Sequence, residues 1–266
     1  MIKLLAVIAG SCIVLVGLLY LMQRSIIFPA PAGELLDALP AGVEHVPLGE
    51  GHAFLVKPDR SMTPAPLVVF AHGNAELAQW SLGAFDALLS RGFAILLLEY
   101  PGYAGTKGSP SAMSIEAAAL EALDAVTGRA EIDETRVIAY GRSIGSGAAC
   151  AIARHRSVAA LILESPFYSL KDLVAEKGFP SFLLRDEFDN AAAVAASDAP
   201  VFLYHGVNDQ LIPITHSERL QAQSEKAVLV RERCGHNDCP RPWPELFVFL
   251  ERLGLLALDD DAGVAP

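Results

Sequence analysis

Apolar residues are distributed in two distinct ways along this chain. From Leu4 to Met22 they are almost unbroken, about 19 residues without a charge between Lys3 and Arg24. At helical rise such a run matches the roughly 30 Å hydrocarbon layer of a bilayer. It predicts a membrane-spanning helix in residues 1–26. The rival reading is a cleaved signal peptide, whose apolar stretch is normally only about 7 to 15 residues with a small-residue cleavage site close behind. Cys12 lies inside the run with too little apolar sequence before it for a lipoprotein signal, and reads as a lipid-facing small residue. Lys3 and the α-amino group lie on one side of the run. Arg24, followed by Glu34, Asp37, Glu44 and Glu50, lies on the other. That bias favours a cytoplasmic N-terminus and an extracytoplasmic body.

After a Pro- and Ala-rich connector over 27–42, the apolar residues come in short runs. These are Glu44 to Leu48, Ala53 to Lys57, Leu67 to Ala71, Ala94 to Glu99, Arg136 to Tyr140, Ala159 to Glu164, Val201 to His205 and Ala227 to Arg231. The central ones are nearly continuous in hydrophobicity, as strands buried on both faces of a parallel sheet are. The first two suit an antiparallel hairpin at the sheet edge. Helical periodicity lies between them at about Glu76 to Arg91, Met113 to Gly128, Gly145 to His155 and Thr215 to Ser224, with a closing helix at Trp243 to Leu253. Thr215 and Glu218 have the spacing of a capping box, and Gly92 and Gly128 suit helix ends. Strand and helix alternate over 43–256, which predicts a mostly parallel sheet with helices on both faces.

One interval breaks the alternation. Residues 165–200 are more than a crossover needs and read as a small lid. Its apolar residues Phe167, Tyr168, Leu173, Phe179, Phe182, Leu183, Leu184 and Phe188 either line a pocket or seal the insertion onto the body. Residues 257–266 carry Asp259, Asp260 and Asp261 and read as a solvated acidic tail.

Composition narrows the function. The net charge is −11, and no basic cluster is present to neutralise a run of phosphates, so nucleic acid is not an expected partner. Cys12, Cys150, Cys234 and Cys239 are too scattered for a stapled secreted fold, so the core must carry the structure.

Candidate chemistry gathers at predicted strand ends. Gly141-Arg142-Ser143-Ile144-Gly145 is a G-x-S-x-G between a strand and a helix. On so sharp a turn the serine takes a strained conformation, and its flanking residues must be small because neighbouring backbone crowds them. A serine nucleophile needs a base, and the base needs an acid to fix its tautomer. Asp209 follows the strand ending at His205, and His236 follows the strand ending at Arg231, giving the order serine, acid, histidine. The oxyanion of a tetrahedral intermediate needs backbone donors. Ile144, after the nucleophile, supplies one, and Asn74, in the loop His72-Gly73-Asn74-Ala75 after another strand, supplies the second.

The segments H-G-N-A, G-R-S-I-G-S-G, H-G-V-N-D-Q-L-I-P and G-H-N-D together resemble the α/β-hydrolase-fold serine hydrolases, and in particular their membrane-anchored branch. That branch includes protein depalmitoylases and bacterial hydrolases. The resemblance covers about Val43 to Leu253. It implies an α/β-hydrolase fold with Ser143 as nucleophile, His236 as general base and acid, Asp209 as orienting acid, and Asn74 and Ile144 as oxyanion donors. The depalmitoylase relatives carry a cysteine-rich, lipid-modified N-terminus, whereas this chain has an apolar run with only Cys12.

Competing readings are structural. Asp238 lies two residues from His236 on one loop, badly placed to accept from the imidazole, and Asp133 suits a turn before a strand. His72, His205, His216 and His236 with Cys234 and Cys239 match no common zinc spacing, so no metal is expected. His72 and His205 suit structural hydrogen bonds at strand ends. Cys234 and Cys239 bracket His236 and would form a disulfide in an oxidising compartment. The expected reaction is acyl transfer from an ester, thioester or amide of a small-molecule or acylated substrate to Ser143 and then to water, with no cofactor. The alternatives are a serine peptidase, since the same triad serves amides, and a membrane-tethered interaction domain that has lost catalysis.

Overall fold

Alternate residues of each central strand point into two different cores, which explains why those strands are apolar without a break. In this computed structural model Leu67, Val69 and Ala71 face one core while Val68 and Phe70 face the other. The structure describes residues 1–33, 35–36, 38–49, 51–58 and 64–256. The expected acidic tail at 257–266, the residues Glu34, Asp37 and Glu50, and the Cys12 side chain lie outside the described residues.

The strands are β1 (Val43–Pro47), β2 (His52–Val56), β3 (Ala65–Ala71), β4 (Ala94–Leu98), β5 (Ile132–Arg142), β6 (Ala160–Glu164), β7 (Val201–Gly206) and β8 (Ala227–Glu232). They form one sheet in the order β1-β2-β4-β3-β5-β6-β7-β8. β2 pairs antiparallel with both β1 and β4, and the remaining pairings are parallel. This is the α/β-hydrolase fold, with the expected hairpin at the edge. Helices α3 (Ala112–Val126), α4 (Gly145–His155), α6 (Asn190–Ala196) and α7 (Thr215–Gln221) cover one face. The short α2 (Asp86–Leu89) and the closing α8 (Trp243–Arg252) cover the other.

Two local expectations are corrected. The helix expected over Glu76 to Arg91 is a 3₁₀ turn at Ala78–Ser81 followed by α2. Gly83 takes a positive φ of 83° between them, and the N–H of Ala78 donates to the Glu99 carboxylate rather than to an intrahelical carbonyl. Thr215 and Glu218 form no capping box: Ile214 is the N-cap, and Glu218 instead pairs with Arg231. A capping box is present instead at Ser111 and Ser114, heading α3.

The insertion between β6 and β7 carries α5 (Leu170–Glu176) and α6, joined by a 3₁₀ turn at Ser181–Leu183. It divides the two roles open to its apolar residues. Phe188 seals it onto the body by packing on Gly147 of α4, whereas Phe167, Leu173 and Phe179 line a cavity. Phe182 does neither and is 82% exposed.

The N-terminal helix α1 (Ile2–Ile27) is long and apolar enough to cross a membrane. From Lys3 to Leu18 every described side chain is exposed. Its last turns, by contrast, dock on the body. Gln23 is buried, donating to the Leu183 carbonyl at 3.1 Å and accepting from the Arg185 N–H at 2.8 Å. Arg24 forms a two-pronged pair with buried Asp186 at 2.7 and 3.0 Å, and Phe28 joins the core.

Candidate active site

β5 ends at Arg142 and α4 begins at Gly145, leaving two residues to reverse the chain. Ser143 makes that turn with a φ of +52°, a left-handed conformation costly for a residue with a Cβ. The strain is held by the surroundings: the Ser143 N–H donates to the Glu164 carbonyl of β6 at 2.8 Å, and its carbonyl accepts from the Ser146 hydroxyl at 2.6 Å. A Cβ on Gly141 would overlap the backbone of Gly145, and one on Gly145 would overlap the carbonyl of Ala71. Both glycines of the G-x-S-x-G are therefore fixed by close approach of backbone.

The structure brings Ser143, His236 and Asp209 together. Ser143 Oγ donates to His236 Nε2 at 2.9 Å, and His236 Nδ1 donates to Asp209 Oδ2 at 2.6 Å. This tautomer is set by the partners on either side of the ring. Asp209 Oδ1 accepts from the N–H groups of Leu211 and Ile212 at 2.9 and 2.8 Å, and His205 Nε2 lies 3.2 Å from Oδ2. Burial alone would raise the Asp209 pKa. The hydrogen bonds from His205, His236 and Ile212 outweigh it and hold the carboxyl well below the usual range. Asp238 instead accepts from the Gly235 N–H at 2.6 Å and shapes the histidine loop. Cys234 and Cys239 are disulfide-bonded across that loop, with Cα atoms 5.1 Å apart.

Ile144 is the N-cap of α4 and, beside Ser143, lines the cavity at the serine turn. Asn74, in the loop after β3, lines the same cavity. Its side chain is anchored on both sides, donating to the Ile27 carbonyl at 2.7 Å and accepting from Tyr103 OH at 3.2 Å. Beneath the loop, His72 is fully buried, its ring nitrogens 2.8 Å from the Gly73 carbonyl and 3.0 Å from Glu99. His205 meets Ser217 and the Ile212 carbonyl at 2.7 and 2.8 Å. His216 accepts from the Tyr168 N–H at 3.0 Å.

Arg142 is a residue that sequence reasoning passed over. It occupies the variable position of G-x-S, so the pattern gave no reason to single it out. Its guanidinium pairs with Glu164 at 3.2 Å and with Glu76, while donating to the His236 carbonyl at 3.3 Å and to Asn237 Oδ1 at 2.9 Å. Glu76 in turn accepts from the Gly73 N–H at 2.9 Å. One side chain thus ties the serine turn to the histidine loop and to the loop carrying Asn74.

A cavity of about 340 Å³ opens at Ser143 and Ile144. Its walls are apolar, contributed by the insertion, by Leu211 and Ile212, and by the end of α1.

Comparison with known proteins agrees with this architecture. A family model described as serine aminopeptidase, S33, matches residues 62–185. An uncharacterized protein of Mycobacterium tuberculosis, Rv2307c, is 33% identical over 227 residues, 81% of this chain and 80% of that protein. The α/β-hydrolase domain-containing protein WAV2 of Arabidopsis thaliana is 30% identical over 148 residues, 49% of this chain and 48% of that one. Among solved structures, an esterase of Thermogutta terrifontis with bound propionate superposes with a TM-score of 0.68 at 17% identity, over 82% of this chain and 97% of that one. A Pyrococcus furiosus esterase gives 0.66 at 15% identity, over 84% and 97%. At these identities the solved structures speak to the fold alone.

Proposed function

This chain belongs to the α/β-hydrolase-fold serine hydrolases, and from that premise we propose that it cleaves esters or thioesters of hydrophobic acyl groups through an acyl-enzyme on Ser143. The observation that carries the reading is the unbroken chain from Ser143 through His236 to Asp209, opening on an apolar cavity.

In this reading His236 Nε2 takes the Ser143 proton as Oγ attacks the acyl carbon. The carbonyl oxygen becomes an oxyanion received by the N–H groups of Ile144 and Asn74. Collapse of the tetrahedral intermediate breaks the bond to the leaving alcohol or thiol, which takes its proton from His236. Water then attacks the acyl-enzyme with His236 as base, releasing the carboxylic acid and regenerating Ser143. Asp209 stays ionised throughout and stabilises the transient imidazolium.

An ester or thioester fits this cavity better than an aminopeptidase substrate. Recognition of a free α-ammonium needs a carboxylate or converging acceptors, yet the charged residue lining the cavity is Lys177, which would repel it. We further read α1 as a retained single-pass anchor. Gln23 and Arg24 hold the insertion, contacts that removal of a signal peptide would delete. The Cys234–Cys239 disulfide favours an extracytoplasmic body.

The test is labelling of purified full-length protein with a fluorophosphonate, followed by a panel of esters, thioesters and peptide amides. The expected result is a Ser143 adduct absent from Ser143→Ala, with turnover of acyl esters or thioesters. Absence of any adduct on the wild type would support a non-catalytic interaction domain, and turnover confined to peptide amides would support a peptidase.

A further inference from the structure

We infer that the last turns of the N-terminal helix are a wall of the acyl pocket, and that the substrate is an acylated amphiphile held in the bilayer whose chain reaches Ser143 along that helix. The inference rests on the acyl-hydrolase reading above and names where its substrate resides. Leu19, Gln23, Ile26 and Ile27 line the same cavity as Ser143. Their spacing places them along one side of α1, over roughly 12 Å of helix. Leu173, Val174 and Phe179 of the insertion line the same cavity.

The position of this wall relative to lipid follows from length. The uncharged run Leu4 to Met22 spans about 28 Å as a helix, close to the full hydrocarbon thickness, so it leaves few residues to spare. Leu19 belongs both to that run and to the cavity wall. The pocket therefore begins within the lipid layer, and an acyl chain can pass from the bilayer to the serine without its methylenes crossing water.

Side chains around this junction suit a membrane interface. Phe182 is 82% exposed, and Arg185 lies over the Tyr20 ring at 5.6 Å. Aromatic and basic residues of this kind collect where headgroups meet hydrocarbon. The join is also built rather than incidental. Asp186, 3% exposed, receives both Arg24 of the helix and the Ala112 N–H of α3, and the Asn74 side chain donates to the Ile27 carbonyl. The helix end, the insertion and the oxyanion loop are thereby held as one unit.

The experiment uses full-length protein in phospholipid nanodiscs and a fluorophosphonate carrying a long alkyl chain with a terminal diazirine. The probe first phosphonylates Ser143 and is then photolysed. The expected result is crosslinking to the peptide containing Leu19 to Ile27, together with residues of the insertion. Crosslinks confined to the insertion and the loop at Leu211, with none to the helix, would overturn the inference while leaving the hydrolase reading intact. Failure of the probe to label Ser143 before photolysis would instead remove the hydrolase reading itself. As a second measurement, Leu19→Trp is expected to lower the ratio of long-chain to acetyl-ester kcat/KM about tenfold or more, the loss of some two methylenes of chain burial. Leu21→Trp, whose site is 71% exposed away from the cavity, serves as the control and is expected to keep the wild-type ratio. Equal ratios in both variants, with Ser143 still labelled, would count against the helix as a wall.

Discussion

The serine turn and the mouth of the pocket meet at Ser143 but are held in opposite ways. At the turn, backbone touches backbone: Gly141 and Gly145 leave no room for a Cβ, Ser143 is fixed in a left-handed conformation, and Arg142 bolts three loops together. At the mouth, the wall is apolar side chains from α1 and the insertion, held by a few polar contacts at Gln23, Arg24 and Asn74. Tetrahedral chemistry tolerates little displacement of reacting groups, whereas an acyl chain needs only a greasy surface of about the right width. In the proposed reaction, rigidity is concentrated where geometry would set the rate, and adaptable packing where it would set substrate choice.

Substitutions can break this contrast in graded steps. Asp209→Asn is expected to lower kcat on the order of a thousandfold or more, because the neighbouring imidazole loses its orienting acceptor while the pocket is untouched. A matching rise in KM would show that the two regions are not separate. The depressed Asp209 pKa adds a stability signature. A carboxyl held low in the folded state stabilises fully above its ordinary value of about 3.9 and loses that contribution as pH falls below it toward the folded value. The melting-temperature gap between wild type and Asp209→Asn should therefore be constant near neutrality and close on acidification below about pH 4. A gap that widened there would contradict the assignment.

Arg142→Met removes the bolt without touching a reacting group, and about a hundredfold loss in kcat is expected from misplacement of His236 and the Asn74 loop. Fluorophosphonate labelling should slow in parallel but not vanish, and an unchanged kcat would show that the loops hold themselves. Reduction of Cys234–Cys239 should lower stability by about 2 kcal/mol on the chain-entropy account of a six-residue loop, measured by urea denaturation with and without reductant. The smallest change expected is from Asp186→Asn, which weakens the Arg24 contact at the mouth. It should alter chain-length preference by a few-fold and leave acetyl-ester kcat within about twofold, since Arg24 is partly exposed and such pairs contribute modestly. A large drop in kcat would mean that the helix end supports the chemistry as well as the pocket.

Much of this arrangement was legible in one dimension. Each expected strand is present, because a strand buried on both faces must be apolar throughout, and the turn at Ser143 is local enough to be written in five consecutive residues. The helix expected at Glu76 to Arg91 was not legible. Its periodicity is helical, but Glu76 is drawn to Arg142, 66 residues on, as well as to nearby Gly73, and Ala78 to Glu99, 21 residues on. Thr215 and Glu218 show the same limit: a local pattern was present, and Arg231 on a neighbouring strand took the glutamate. Arg142 carried no signal at all, since its partners come from the end of β6 and from two loops far apart in the chain.

By itself the sequence determined the strands and most of the helices that cover them, the order serine, acid, histidine at strand ends, and the presence of a helix able to cross a bilayer. These are properties of residue type and short-range spacing. Only the tertiary structure decided that the last turns of that helix leave the apolar run to pack against the insertion and close one side of the cavity at Ser143. Gln23 and Arg24 read alone as the polar end of a membrane segment. Their meaning depends on Leu183, Arg185 and Asp186, some 160 residues away, and no periodicity encodes a contact between segments so far apart.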